Sequence, residues 1–155
     1  MKTINQWLAE YGESHQNPTN KTVHWICVPL IFFSVVGLLF SIKLPFFNLG
    51  DIEGNVALIV LGLTLIYYFS LSKTLSIGLL LFASMCTYLC YIIEQSGFAP
   101  LWQVCITVFV LAWIGQFWGH KVEGKKPSFF KDLQFLMIGP AWLMSFIYER
   151  LGISY

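Results

Sequence analysis

Residues 116–127, QFWGHKVEGKKP, lie where a long apolar segment gives way to a basic loop. His120 stands in this stretch and is one of only three histidines in the chain. The other two, His15 and His24, belong to a single short polar window near the N-terminus. Whether these two places meet depends on the fold that the rest of the chain adopts.

The composition is that of a membrane protein. Hydrophobic residues make up 57% of the 155 residues and charged residues 11%, against about 25% charged in soluble domains. The apolar residues fall in four blocks, 23–42, 56–71, 74–93 and 101–118. About twenty helical residues at ~1.5 Å each span a hydrocarbon core of ~30 Å. The blocks predict an all-α integral membrane protein with about four transmembrane helices, and the net charge of +1 leaves no basic face for nucleic acid.

Two further segments flank the four blocks. Residues 3–14 predict an N-terminal amphipathic helix whose aromatic rings lie at the membrane–water boundary. The side chains at helical spacing are Ile4, Trp7, Leu8 and Tyr11. Residues 133–148 are apolar but short for a span, and Gly139-Pro140 interrupts them. We therefore predict a C-terminal interfacial or re-entrant helix there.

The positions of the basic residues predict the orientation. With four spans, eight of the nine Lys and Arg residues fall on the side that holds both termini, and only Lys43 falls on the other. Because basic residues accumulate on the cytoplasmic side, both termini are predicted to be cytoplasmic, in a bacterial inner membrane or in the endoplasmic reticulum. Residues 1–155 then form one membrane domain, with a ligand segment at 1–22, a four-span bundle at 23–119, and a cytoplasmic loop and interfacial helix at 120–155. Residues 43–55 are predicted to be a turn region between the first two blocks.

This topology places all three histidines on one face of the membrane. His15 and His24 lie before and at the start of the first block, and His120 lies at the end of the fourth. Imidazole binds Zn, Cu, Fe and Ni, and three protein ligands with open positions are typical of a catalytic site. The sequence predicts a metal site at these three residues; the alternative is that they are ordinary amphipathic residues of the interface.

Charged residues after His120 are candidate catalytic residues. Glu123 shares the face of His120 if the helix continues. It would then be a fourth ligand, a partner that orients an imidazole, or a solvated charge. Lys125 and Lys126 would pair with the carboxylate of an amphiphilic substrate, or would only contact anionic lipid headgroups.

Two motifs carry a resemblance to a known family. They are H-x-x-P-x-N-x-x-x-H-x-x-x-x-P at residues 15–29 and Q-x-x-G-H at residues 116–120, followed by the basic loop. Together they resemble the family of small membrane proteins that includes the fungal 2-hydroxy fatty acid dioxygenase. The resemblance extends over nearly the whole chain.

The resemblance implies an Fe(II)-dependent dioxygenase that uses O2 to shorten a 2-hydroxy fatty acid by one carbon. It also implies that His15, His24 and His120 are the essential histidines and that the enzyme works in contact with a lipid bilayer. The residues alone leave two other readings open. One is a zinc or iron membrane lipid hydrolase with the same three ligands, and the other is a non-enzymatic membrane scaffold.

Overall fold

The protein is mostly helical in the computed structural model, which describes residues 2–124 and 129–155. Among the described residues, three helices, Pro18–Phe40, Lys73–Ser96 and Leu101–Glu123, are long and apolar enough to cross a membrane, whereas the apolar helix Val56–Leu71 has only 16 residues. The elements in chain order are α1 (Ile4–Gly12), α2 (Pro18–Phe40), β1 (Lys43–Leu49), β2 (Ile52–Asn55), α3 (Val56–Leu71), α4 (Lys73–Ser96), α5 (Leu101–Glu123) and α6 (Phe129–Leu151).

The two N-terminal helices begin with side-chain caps. The Thr3 hydroxyl accepts a hydrogen bond from Gln6 N, and the Gln6 side chain accepts one from Thr3 N, which is a capping box. Asn17 Oδ1 accepts a hydrogen bond from Thr19 N at 2.9 Å, and Pro18 takes the first helical position of α2. Proline is tolerated at that position, because the amide hydrogen that it lacks would have no partner within the helix. Helix α2 therefore begins at Pro18, five residues before the predicted block at 23–42.

Residues 43–55 form a β-hairpin where the sequence predicted only a turn region, so the mostly helical fold also contains one two-stranded sheet. Strands β1 and β2 are antiparallel, and Leu49 pairs with Ile52 across a two-residue loop. Gly50 is the first residue of this loop and has a φ of +61°. Glycine adopts this conformation without steric strain, and it suits a tight hairpin turn. The local signal was the Gly-Asp pair between two apolar runs.

Helices α2 to α5 alternate in direction along the chain. A Cβ atom added at Gly119, near the end of α5, would lie 2.5 Å from Asn20 Oδ1 at the start of α2. At the opposite end, Lys43 forms a 2.7 Å ion pair with Glu94. The starts of α2 and α4 therefore lie with the ends of α3 and α5, and we call this the histidine end of the bundle.

Helix α6 is longer than predicted and continuous. The sequence predicted a segment at 133–148 interrupted by Gly139-Pro140, whereas the helix runs over 23 residues with Pro140 inside it. Proline removes one helical hydrogen bond, and the packing of α6 against α1, α2 and α4 offsets this loss.

Among the described residues, the side-chain hydrogen bonds that join α6 to other helices lie at the histidine end. The Tyr68 hydroxyl, at the end of α3, donates to the Met137 carbonyl. The Tyr148 hydroxyl donates to Thr74 O at 2.9 Å and accepts from Gly78 N at 3.0 Å, at the start of α4. Since both halves of α6 contact the same end of the bundle, the helix lies across that end.

The outward faces of α3, α4 and α5 are apolar. Large aliphatic side chains there are more than half exposed, including Leu63, Ile66, Leu81, Leu111 and Ile114. Exposed apolar surface of this extent is unfavourable in water and is typical of contact with lipid. The number of crossings and the orientation of the chain stay predictions.

Candidate metal centre

Three separate elements bring the histidines together at the histidine end. His15 follows α1, His24 lies in the second turn of α2, and His120 lies in the last turn of α5. All three are buried, with exposed fractions of 3%, 1% and 7%. One potential ligand atom from each ring lies within 4.8 Å of the others. The structure thus brings together the three residues that the sequence predicted as metal ligands.

Backbone carbonyls hold two of the rings in a defined orientation. His15 Nδ1 lies 2.6 Å from Tyr11 O, and His24 Nδ1 lies 2.9 Å from Asn20 O. A carbonyl oxygen only accepts hydrogen bonds, so each Nδ1 must donate its hydrogen. The neutral form of each ring then has its lone pair on Nε2, the state in which imidazole binds a metal ion.

The Nε2 atoms of His15 and His24 face each other. His15 Nε2 and His24 Nε2 are 2.8 Å apart. Two lone pairs at this distance repel unless a proton or a cation lies between them. Two nitrogens bound at right angles to one ion, each at ~2.1 Å, lie about 3 Å apart. This separation therefore fits a shared metal ion.

His120 completes the group from the other side. Its ring centroid lies 5.1 Å from that of His24 and 5.6 Å from that of His15. Among the residues that the structure describes, no Cys, Asp or Glu side chain joins the three histidines. Three imidazoles leave coordination positions for a substrate, as in catalytic sites.

A small cavity lies beside the three rings. It has a volume of about 40 Å³, which is enough for one or two small groups and too little for an alkyl chain. Besides the histidines, it is lined by Tyr11, Val28, Ile31, Trp113, Gln116, Phe135 and Leu136. The walls are mainly apolar and aromatic, so a polar group that enters is removed from bulk water.

Glu123 binds the segment that joins His15 to His24. Its carboxylate accepts hydrogen bonds from Gln16 N and Asn17 N, each at 2.9 Å, and from Asn20 Nδ2 at 3.0 Å. The acid lies at the end of α5, three residues after His120. It thus joins the two halves of the site. Its catalytic role stays a prediction, and Lys125 and Lys126, the other two candidates, lie outside the described residues.

Close packing of α2 on α5 makes the meeting of His24 and His120 possible. Cβ atoms added at Gly115 and Gly119 would lie 2.7 Å from Cys27 Sγ and 2.5 Å from Asn20 Oδ1, closer than real Cβ atoms approach. Their spacing is the G-x-x-x-G pattern of close helix pairs in membranes. This pattern is visible in the sequence just before His120 and would have predicted the close approach of α5 to another helix.

We predict that Gly119→Ala weakens the site while Gly62→Ala does not. The added methyl group at residue 119 would displace the side-chain amide of Asn20, whose Nδ2 donates to Glu123, and overpacking of this kind lowers stability by ~1–3 kcal/mol. Gly62 has open space around its Cβ position, so alanine there is expected to be neutral or to stabilise the helix by up to ~1 kcal/mol. Thermal unfolding and metal titration of both variants check this. Equal metal affinity in the two variants would contradict the role of close packing.

Two aromatic residues pack around the His15 ring. Tyr11 was expected at the membrane–water boundary but is buried in the protein, with an exposed fraction of 4%, and Trp142 is 5% exposed. The Tyr11 ring stacks on His15 at 4.2 Å between centroids, and Trp142 lies 5.3 Å from His15. Their burial depends on the packing of α1 against α6, which no local pattern reveals.

A family-level match covers almost the entire chain. The profile described as 2-hydroxy-palmitic acid dioxygenase Mpo1-like matches residues 1–151. The matched region contains the three histidines and Glu123. No curated protein and no solved structure matches the chain significantly.

Proposed function

The chain belongs to the Mpo1-like family, whose description is 2-hydroxy-palmitic acid dioxygenase, and from this premise we propose that it is an Fe(II)-dependent dioxygenase of the membrane. Its substrates are a 2-hydroxy fatty acid and O2, and its product is the acid shortened by one carbon. The observation that carries the proposal is the buried group of His15, His24 and His120, whose ligand atoms lie within 4.8 Å of one another.

The three imidazoles would hold the iron, and the chain around them would set its surroundings. Bound Fe(II) would supply the redox chemistry with O2 that the cleavage between C1 and C2 requires. The carbonyls of Tyr11 and Asn20 keep Nδ1 of two ligands protonated and Nε2 available. The reaction balances without an added reductant, because one 2-hydroxy acid and one O2 give the shortened acid, CO2 and water.

Glu123 and the basic loop have separate roles in this proposal. Glu123 acts as a positioning residue, since its three hydrogen bonds hold the segment between His15 and His24 against α5. Lys125 and Lys126 follow in the chain, and a cation there would attract the carboxylate of a substrate. The site opens on the cytoplasmic face, where α6 lies at the membrane interface.

The alkyl chain of the substrate needs a second space. A cavity of about 90 Å³ lies between α2, α4 and α6, and its lining is apolar. Val28 lines both this cavity and the one beside the histidines. A hydroxy acid whose head reaches the metal past Val28 would therefore leave its chain among α2, α4 and α6. The other lining residues are Trp25, Pro29, Phe82, Pro140, Leu143, Met144 and Ile147.

The proposed reaction is tested by oxygen consumption. The purified protein loaded with Fe(II) is expected to consume one O2 for each 2-hydroxypalmitic acid converted to the 15-carbon acid, with the product identified by mass. Zinc-loaded protein and anaerobic samples are expected to give no product, because zinc has no redox chemistry. Turnover of a lipid by either of these samples would instead favour a metal hydrolase.

The position of the alkyl chain is tested by filling the apolar cavity. Ile147→Trp is expected to raise KM for 2-hydroxypalmitic acid about tenfold or more, which equals the loss of roughly two buried methylenes at ~0.8 kcal/mol each. A 2-hydroxy acid of eight carbons is expected to be unaffected. The matched control is Ile77→Trp, an exposed position on α4 that lines a different groove. A shift in KM with the control alone would move the alkyl chain to that groove.

A further inference from the structure

Gln116 lines the cavity beside the three histidines and carries a buried hydrogen-bond acceptor. It lies on α5 one turn before His120, so the two side chains share a face. Its side chain is 6% exposed and lines the same cavity as the histidines. Within the part of the chain that the structure describes, nothing donates a hydrogen bond to its buried Oε1.

The chemistry of this oxygen restricts what can enter the cavity. A buried amide oxygen without a donor is unfavourable, and native proteins rarely leave one unsatisfied. The carboxylate of a fatty acid has no hydrogen to donate, and neither has its alkyl chain. A hydroxyl group carries such a hydrogen, and the cavity of about 40 Å³ has room for a group of that size.

We propose that Gln116 makes the site specific for 2-hydroxy acids over unsubstituted fatty acids, by accepting a hydrogen bond at Oε1 from the substrate hydroxyl. The inference rests on the function proposed above and adds to it the residue that reads the hydroxyl. An unsubstituted acid leaves this acceptor unpaired in an apolar wall. Sites built to bind a hydroxyl reject the analogue that lacks it far more strongly than apolar pockets reject a missing methylene.

The test replaces the amide with an apolar group of similar length. Wild type, Gln116→Met and Gln116→Leu are loaded with Co(II), whose visible spectrum reports ligands at the metal, and are titrated with 2-hydroxypalmitic acid and with palmitic acid. The matched control is Gln103→Met, the same substitution at an exposed position of the same helix. Thermal unfolding checks that each variant is folded, and the leucine variant serves if the methionine variant is not.

We expect wild type and Gln103→Met to bind the hydroxy acid at least tenfold more tightly than palmitic acid, which is the effect of leaving one buried acceptor without a hydrogen bond. The variants at residue 116 should lose about tenfold of this preference while their Co(II) affinity stays within about twofold of wild type. An unchanged preference overturns the inference. So does a loss of Co(II) affinity at residue 116, because the amide would then be a metal ligand. If wild type binds neither acid and its Fe(II) form consumes no O2, the proposed function fails as well.

Discussion

Replacing His120 with alanine is expected to remove metal binding and turnover together. His120 is the candidate ligand that α5 contributes, and without it only the imidazoles of His15 and His24 remain in the group. The expected loss of metal affinity exceeds the 10–100-fold that follows removal of an outer hydrogen-bond partner. A ligand at about 100 times its Kd stabilises a protein by ~2.7 kcal/mol. Wild type should therefore unfold at a clearly higher temperature with Fe(II), and His120→Ala should not respond.

The matched control for this experiment is Lys121→Ala. Lys121 is the next residue on the same helix turn and is exposed, so its truncation should leave the metal response unchanged. The comparison separates loss of the ligand from general damage to the end of α5. Equal iron content and an equal thermal shift in His120→Ala and wild type would refute the metal centre, and with it the proposed function.

Replacing Glu123 with glutamine is expected to have the second largest effect. The carboxylate accepts from two backbone amides and one side-chain amide, at 2.9, 2.9 and 3.0 Å. Hydrogen bonds to a charged acceptor contribute ~1.5–3 kcal/mol each. A glutamine retains one acceptor oxygen but turns an NH2 group towards at least one of the donors, so fewer hydrogen bonds hold the segment between His15 and His24 against α5. We expect metal affinity to fall ~10–100-fold.

The kinetic constants distinguish positioning from catalysis at Glu123. If the residue acts by placing His15, the Glu123→Gln variant should recover most of its kcat when Fe(II) is supplied in excess. If the carboxylate takes part in the reaction, kcat should stay low at saturating Fe(II), and the positioning role would be wrong. Glu53→Gln is the control, since Glu53 is an exposed acid on the hairpin at the other end of the bundle.

The helices of the bundle were predictable from local pattern because the bilayer leaves few choices. A long apolar segment in lipid must satisfy its backbone hydrogen bonds internally, and a helix does so without any partner. The predicted block at 56–71 coincides with α3, and the other three blocks lie within α2, α4 and α5, apart from the last two residues of the first. The hairpin at 43–55 was missed because strand pairing depends on two segments and a turn, and apolar periodicity reports on neither.

Of the site, only the common location of the three histidines was predictable, because it follows from the topology. Counting crossings put His15, His24 and His120 on one face, because each crossing reverses the chain. It did not indicate that Glu123 would bind the amides of Gln16 and Asn17, contacts that join residues more than a hundred positions apart. The burial of Tyr11 was missed for the same reason.

From its residues alone, this chain is a helical protein suited to a membrane, with its three histidines at one end of the bundle. Length, hydropathy and the places of rare residues decide these features, and all of them are local properties. The tertiary structure alone decides that two imidazole nitrogens face each other at 2.8 Å. It also decides that α6 covers the histidine end and that Gln116 lacks a donor within the described chain. These features depend on distances between helices, and those distances follow from side-chain packing across the whole bundle.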